Sequence, residues 1–325
     1  MIRYIIRRLL WMIVLLFAVS LLTFVIFYVL PSTDPALRRA GARASPATVA
    51  AVRHNLGLDK PKVDWPWKES QIKRYYNDLV VHHTLGRSYA SNRDVQDLIK
   101  DRLPATIQLA LGSAIVWLLI AFPVGMVSAL RRGSILDRTL MGGALLAISA
   151  PVYWLGLVAL YLFDQDVGKF KIFPGIDSYV PPSEDVGKWF ASMFLPWVVL
   201  AASFAAVYAR LLRGNLLDVM SEDYIRTARS KGLPERRVVM KHGVRSAVTP
   251  IVTILGIDVG VLLGGAVLTE SVFNIPGIGR LAYDAINRGD LPTIQGTVLV
   301  AAFFVIIMNL VVDIAYSFLD PRVRY

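Results

Sequence analysis

The chain has no cysteine. Disulfides, thiolate metal sites and cysteine nucleophiles are therefore excluded. Histidine is nearly as scarce: His54, His82, His83 and His242 are too few and too scattered for a metal cage. No lysine is followed by serine or threonine, so the phosphate loop G-x-x-x-x-G-K-[ST] cannot form anywhere. Charged residues make up only 18%, where a soluble domain carries about 25%. No internal repeat is visible.

What is present in quantity is apolar. Hydrophobic residues are 55% of the 325, and the mean hydropathy is +0.52. Charge-free spans cover residues 9–30, 103–130, 139–163, 189–209 and 291–312. A sixth, 246–269, is interrupted only by Asp258. Each can cross a hydrocarbon core, which needs about 20 helical residues. Backbone groups in lipid must be satisfied within the segment, so these spans are helices. Residues 9–30 show none of the period-2 alternation of a barrel strand. They follow Arg3, Arg7 and Arg8, as a signal peptide would. But 22 charge-free residues exceed its apolar region of about 7–15, and no clear small-x-small cleavage site ends it. The segment reads as a retained helix.

Six spans put both ends on one side, and charge decides which. Basic against acidic residues number three to none in the N-tail, three to one in 131–138, nine to four in 210–245, and two to one in 320–325. The opposite loops, 164–188 and 270–290, have three to five and two to three. The positive-inside rule places both termini in the cytoplasm. Residues 31–102 are basic too, thirteen to eight, but loops beyond roughly 60 residues do not vote. The net charge of +11 thus reflects topology plus one basic external loop, and no nucleic-acid partner is expected. The expectation is an all-α integral membrane protein with six transmembrane helices and a long first extracytoplasmic loop. Its parts are 1–30, the cytoplasmic tail and first helix; 31–102, the extracytoplasmic loop; and 103–325, a five-helix core containing the cytoplasmic loop 213–245.

The external loop has local order. Residues 46–56 read as a helix capped by Ser45 and stopped by Gly57. Residues 67–80 suggest a second helix. Residues 91–103 suggest a third, with Val95, Leu98, Ile99 and Leu103 on one face, lying at the membrane surface or, in the sharper reading, offering a docking surface to an external partner. Between Glu270 and Asp290, the run Pro276-Gly-Ile-Gly-Arg280 after an apolar stretch suggests a broken or re-entrant segment.

The cytoplasmic loop parses as two short helices joined at a corner. Ser221 can cap the first, with Glu222 and Asp223 at its positive end. Gly232 suits a left-handed cap, and Leu233-Pro234 restarts the chain. Glu235 opens the second helix, and Lys241, His242 and Arg245 sit near its end, matching the dipole. A solvated linker would need none of this.

Here a resemblance enters. Ala228-x-x-x-Gly232 followed by a basic amphipathic stretch resembles the "EAA" loop of permeases in importers of the ATP-binding-cassette (ABC) class. The run from Tyr224 to Gly232, with His242 and Arg245 beyond it, looks like the dipeptide/oligopeptide branch. Arg226 and Thr227 stand where the class name implies Glu and Ala. The start of the chain, Leu30-Pro…Asp34-Pro-Ala36, Leu263-Gly-Gly-Ala266, Glu270, Phe273, Pro276 to Arg280, Asn309, Asp313 and the tail 319–325 also fit. Thr33 replaces a more usual Gly. The resemblance covers nearly the whole chain.

It implies a type I importer permease fold. It also implies a second homologous permease, two cytoplasmic ATPases carrying ATP and magnesium, and an extracytoplasmic binding protein that delivers peptide through the bilayer. Arg226, Thr227, Ala228, Lys231, Gly232, Leu233, Arg236, His242 and Arg245 would form the ATPase-coupling set. No catalytic, cofactor or metal residue is expected on this chain.

Within the membrane, Asp258 is the one deep acid of span five, and such acids default to function. It either faces a water-filled path, attracting a peptide ammonium group, or is paired with a buried donor. A neutral Gln is more usual here in the family. Gly256, Gly260 and Gly264 recur every four residues as a close-packing face. Asp258 points about 200° away from Gly256. Asn309 and Asp313, four apart, suit a bridge between helices. Tyr153 and Trp154 follow Pro151, where span three kinks; they line the path or, more simply, pack. Three alternatives stay open: a same-family permease for nickel or another small solute, an ion-coupled secondary transporter, and a non-transporting scaffold.

Overall fold

A computed structural model describes residues 2–29, 35–41, 44–55, 58–62 and 70–319. The Leu30–Asp34 motif, Thr33, the stop at Gly57, the start of the second loop helix at Trp67 and the tail beyond Leu319 lie outside them. Among the described residues the regular secondary structure is helical, with turns and loops between and two isolated bridges. In order they form α1 (Ile2–Phe24), α2 (Pro35–Ala40), α3 (Pro46–Asn55), α4 (Gln71–Tyr76), α5 (Val95–Leu130), α6 (Ile135–Ser149) and α7 (Val152–Phe163). Then come α8 (Val186–Met220), α9 (Asp223–Ser230), α10 (Glu235–Arg237), α11 (Arg245–Leu263), α12 (Val267–Val272), α13 (Ile278–Arg288) and α14 (Leu291–Leu319). Three π-helical stretches, Val25–Val29, Asn77–Val81 and Val238–Val244, extend neighbouring helices. Among the described residues, five helices are long and apolar enough to cross a membrane, or six if the bent pair α6–α7 is one crossing.

That bent pair corrects one expectation. Span three does not kink; it breaks, by 101°. Pro151 disfavours helical backbone in the residue before it, and Ala150 duly takes ψ 125°. Pro151 itself is extended, with ψ 135°.

The third loop helix is corrected too. It neither starts at Ser91 nor lies on the membrane surface. It begins at Val95 and runs unbroken into span two, 36 residues in all, despite Pro104 and Pro123. The apolar face at Val95 and Ile99 is covered by Ile278, with Leu85, Leu103, Leu281 and Val300 around them. A face already buried by protein has no need of lipid headgroups. Of the other loop features, Ser45 does cap α3, its Oγ accepting from Thr48 N at 3.2 Å.

The core is built on α5 and α8. Glycines let them approach: a Cβ at Gly112 would run into the Trp197 ring, and one at Gly125 would sit 2.6 Å from Ala209 O. Trp197 Nε1 donates to Gln108 O at 3.0 Å. Trp117, fully buried, stacks on Phe204 with ring centroids 4.7 Å apart. α11 packs on α14 through its glycines. A Cβ at Gly256 would meet Val312, at Gly260 it would lie 2.9 Å from Met308 Cβ, and at Gly264 2.8 Å from Ala301 Cβ. Helix α1 lies on α14, fastened by Arg8 to Asp313 at 3.1 Å, while Leu10, Ile13 and Phe17 stay exposed, as a lipid-facing helix requires.

Candidate coupling and translocation site

Helix α8 ends at Met220, and the basic loop expected on the cytoplasmic side follows. Ser221 does not cap α9. Its N–H and its hydroxyl both donate to Asp218 O, at 3.1 and 2.7 Å, so it closes α8 instead. The N-cap of α9 is Glu222, whose side chain makes no capping bond. α9 is sharply two-faced. Ile225 and Ala228 are buried against Val238, Leu233 and Met220, while Tyr224, Arg226, Thr227, Arg229 and Lys231 are exposed.

The corner follows. Gly232 has φ +74°, the left-handed conformation that glycine adopts at little cost. Arg229 and Glu235 close across it in a two-pronged ion pair, and the carboxylate holds the Arg229 guanidinium above its ordinary pKa. The second helix is not a separate short element. α10, the π stretch and α11 form one continuous helix from Glu235 to Leu263. Lys241, His242 and Arg245 therefore do not lie at a helix end, and the dipole argument for them falls. Arg236 and Arg245 are exposed, while Leu233 and His242 are half-buried. Gly243 is buried where α8 crosses: an added Cβ would sit 2.9 Å from Met220 Sδ. Asn215 of α8 also donates to Ala247 O at 3.1 Å.

In the membrane, the Tyr208 hydroxyl of α8 donates to Asp258 Oδ2 at 2.6 Å. Tyr208 is buried, its ring tilted against Trp117. Asp258 is half-buried, so it has a buried donor and also some access. Tyr153 and Trp154 stand exposed, at 49% and 51%, at the start of α7; packing inside this chain does not explain them. Asn309 is exposed, and the Arg8 bridge is made by Asp313 alone of that pair.

Two buried carboxylates escaped the sequence reading as site residues. Asp137 accepts from Arg213 Nε and Nη2, both at 2.8 Å, from Gly133 N at 2.9 Å, and from Ser128 Oγ. Glu270, with no exposed surface, accepts from Thr106, Ala266 and Arg280. Asp137 had counted only as one acid in a basic loop, and nothing local in its sequence names Arg213, 76 positions on. Glu270 carried a signal, the Pro-Gly-Ile-Gly run beside it, but not its meaning.

Crossing helices of this kind, joined on one side by a helix–corner–helix loop with one exposed polar face, define a multi-pass helical membrane protein. Residues 121–325 match the family described as binding-protein-dependent transport system inner membrane component, and residues 1–110 match the N-terminal part of such components. The chain belongs to this family: it is the permease subunit of an ABC importer. It is 38% identical over 325 residues to the glutathione transport system permease protein GsiC of Escherichia coli O6:H1 (strain CFT073), covering all of both chains. It is 37% identical over 345 residues to the dipeptide transport system permease protein DppB of Escherichia coli (strain K12), covering 100% of this chain and 99% of that one. A chain of the MetNI methionine ABC transporter in an inward-facing conformation shares the fold, with TM-score 0.53 at 21% identity over 69% of this chain and 97% of that one.

Membership makes the chain a multi-pass component of the inner membrane and not itself an enzyme. In general terms it implies another permease, an ATPase and a substrate-binding protein.

Proposed function

We propose that this permease imports short peptides. The observation that supports it most is full-length likeness to relatives named for glutathione and dipeptide transport. In this reading a second homologous permease completes the translocation path, and an extracytoplasmic binding protein delivers peptide to it. Two cytoplasmic ATPases carry ATP and magnesium. Their surfaces receive the exposed face of α9 and the corner: Arg226, Thr227, Lys231, Gly232 and Arg236. Ala228 points inward and shapes the loop rather than touching a partner. Leu233 seats the corner on Ile225, while His242 and Arg245 lie where the loop joins α11.

The loop works by continuity. The corner runs into α11 without a break, and α8 packs on that helix at Gly243 and through Asn215 to Ala247, so ATPase closure against α9 acts on both helices together. Those helices meet again at Tyr208 and Asp258, and alternating access follows if they tilt as a pair. Gly256, Gly260 and Gly264 make α14 move with α11, and the Asp258 carboxylate favours a passing ammonium group. Tyr153 and Trp154 are exposed in the single chain and suit a path surface or the second permease.

Purification from the native membrane and reconstitution in vesicles tests this. Co-purification of ATPases whose turnover rises with binding protein and dipeptide supports it. Turnover that responds to nickel and not to dipeptide would reassign the solute, and uptake driven by an ion gradient alone would overturn the reading.

A further inference from the structure

Helix α13 begins after Gly277, which has no side chain with which to cap it. Its first N–H groups are satisfied from other helices. Thr106 Oγ1 of α5 accepts from Ile278 N at 2.8 Å, and Glu270 Oε2 of α12 accepts from Arg280 N at 2.8 Å. Thr106 also donates to Glu270 Oε1 at 2.9 Å, and Ala266 N donates to the same oxygen at 3.2 Å. A carboxylate at the positive end of a helix is favourable; this one is shared by three elements. A Cβ at Gly277 would run into it, and one at Gly279 would lie 3.0 Å from Oε2. The Pro276-Gly-Ile-Gly-Arg280 run is thus the shape of a socket for Glu270.

Asp137 makes the matching joint at the other end of α5. It ties Ser128 near the end of α5 and Gly133 of the following turn to Arg213 of α8. Thr106 and Ser128 are 22 positions apart on α5, about 33 Å at about 1.5 Å per residue and close to the roughly 30 Å of a hydrocarbon core. Between the joints, α5 and α8 pack through Gly112 and Gly125. α8 then leads directly to α9.

We propose that Glu270 and Asp137 are paired positioning residues, the outer and inner anchors by which the α5–α8 unit carries movement of the cytoplasmic loop to the extracytoplasmic α12–α13 turn. This rests on the importer reading. Both oxygens of each carboxylate accept, so an amide in either place turns an NH2 toward a donor. Glu270→Gln and Asp137→Asn loosen the joints at nearly constant volume.

The test uses the reconstituted complex with its ATPases, second permease, binding protein and dipeptide. Each single variant lowers binding-protein-stimulated ATP hydrolysis by about fivefold or more, the low end for coupled sites, with basal hydrolysis within about twofold of the parent. The double variant is no worse than the worse single, whereas independent distant sites combine additively in free energy. Thr106→Ser keeps the stimulation and Thr106→Val loses it. That pair decides the matter if a carboxylate variant fails to assemble. Parent-like stimulation in Glu270→Gln, Asp137→Asn or Thr106→Val, or losses that multiply in the double variant, would overturn the proposal. A parent complex without any stimulation would remove the importer reading, and the anchors with it, which is a distinct result.

Discussion

Arg229 and Glu235 face each other across the Gly232 corner, with guanidinium Nη2 and Nε 2.7 and 3.1 Å from the two carboxylate oxygens. Both side chains are substantially exposed, at 43% and 59%, so the pair adds at most about 1 kcal/mol to stability. What it supplies is angle. Planar two-pronged pairing sets α9 against α10, so under the proposed function an ATPase pressing on α9 would meet a corner of defined shape.

Arg229→Glu should leave membrane insertion unchanged and lower peptide uptake per ATP hydrolysed. The swap Arg229→Glu with Glu235→Arg restores the pair and should recover part of the loss. Uptake and hydrolysis measured together in vesicles check this. Parent-like coupling in the single reversal would show that the corner angle is unimportant.

Gly232→Val tests the backbone alone. Nothing lies within 4 Å of an added Cβ there, so crowding is absent and the strain is the left-handed φ, about 1–2 kcal/mol. The variant should fold and insert yet uncouple hydrolysis from uptake. Gly232→Asn, which tolerates this conformation, should transport well. Near-normal uptake by the valine variant would reduce the loop to a linker.

At Asp258, two replacements separate pairing from transport. Asp258→Asn still accepts from the Tyr208 hydroxyl and should leave thermal stability near the parent's. Asp258→Leu strands that hydroxyl and should cost about 1–3 kcal/mol, read as a lower melting temperature of the solubilised complex. Asp258→Asn should also reduce uptake of free peptides relative to N-acetylated ones. Unchanged uptake and selectivity would leave Asp258 a packing partner only.

Gly260→Leu should separate α11 from α14. An added Cβ is already 2.9 Å from Met308 Cβ and 3.2 Å from Val305 Cα, and overpacking of this kind costs about 1–3 kcal/mol. Gly142→Ala is the control: it is helical with nothing within 4 Å, where alanine gains roughly 0.5–1 kcal/mol. Thermal unfolding should rank the control at or above the parent and Gly260→Leu below it. The reverse order would mean that the glycine face is not a tight contact.

Apolar length and charge asymmetry made the crossings legible, because lipid imposes both on the sequence directly. The turn at Gly232 was legible because a left-handed residue favours glycine. Properties set by partners distant in the chain were not. Val95 and Ile99 read as a surface helix because Ile278, which covers them, lies 183 and 179 positions further along the chain. Ser221 has the chemistry of an N-cap, but the choice between closing α8 and opening α9 depends on the backbone path. The Ala150–Pro151 break is not legible because proline within an apolar span need not end the helix: α5 continues through Pro104 and Pro123. Asp137 and Arg213 read as topological charge until folding placed them 2.8 Å apart.

The π stretch Val238–Val244 joins the Gly232 corner to α11. Its hydrogen bonds reach five residues back where an α-helix reaches four, so each turn holds more residues. Winding it into α form would both lengthen the segment and rotate everything beyond it about the helix axis. Asp258 and the glycine face opposite would turn together, through the same angle and in the same sense. A push on the corner can therefore arrive in the membrane as torque: the junction has the geometry of a screw thread as well as that of a lever.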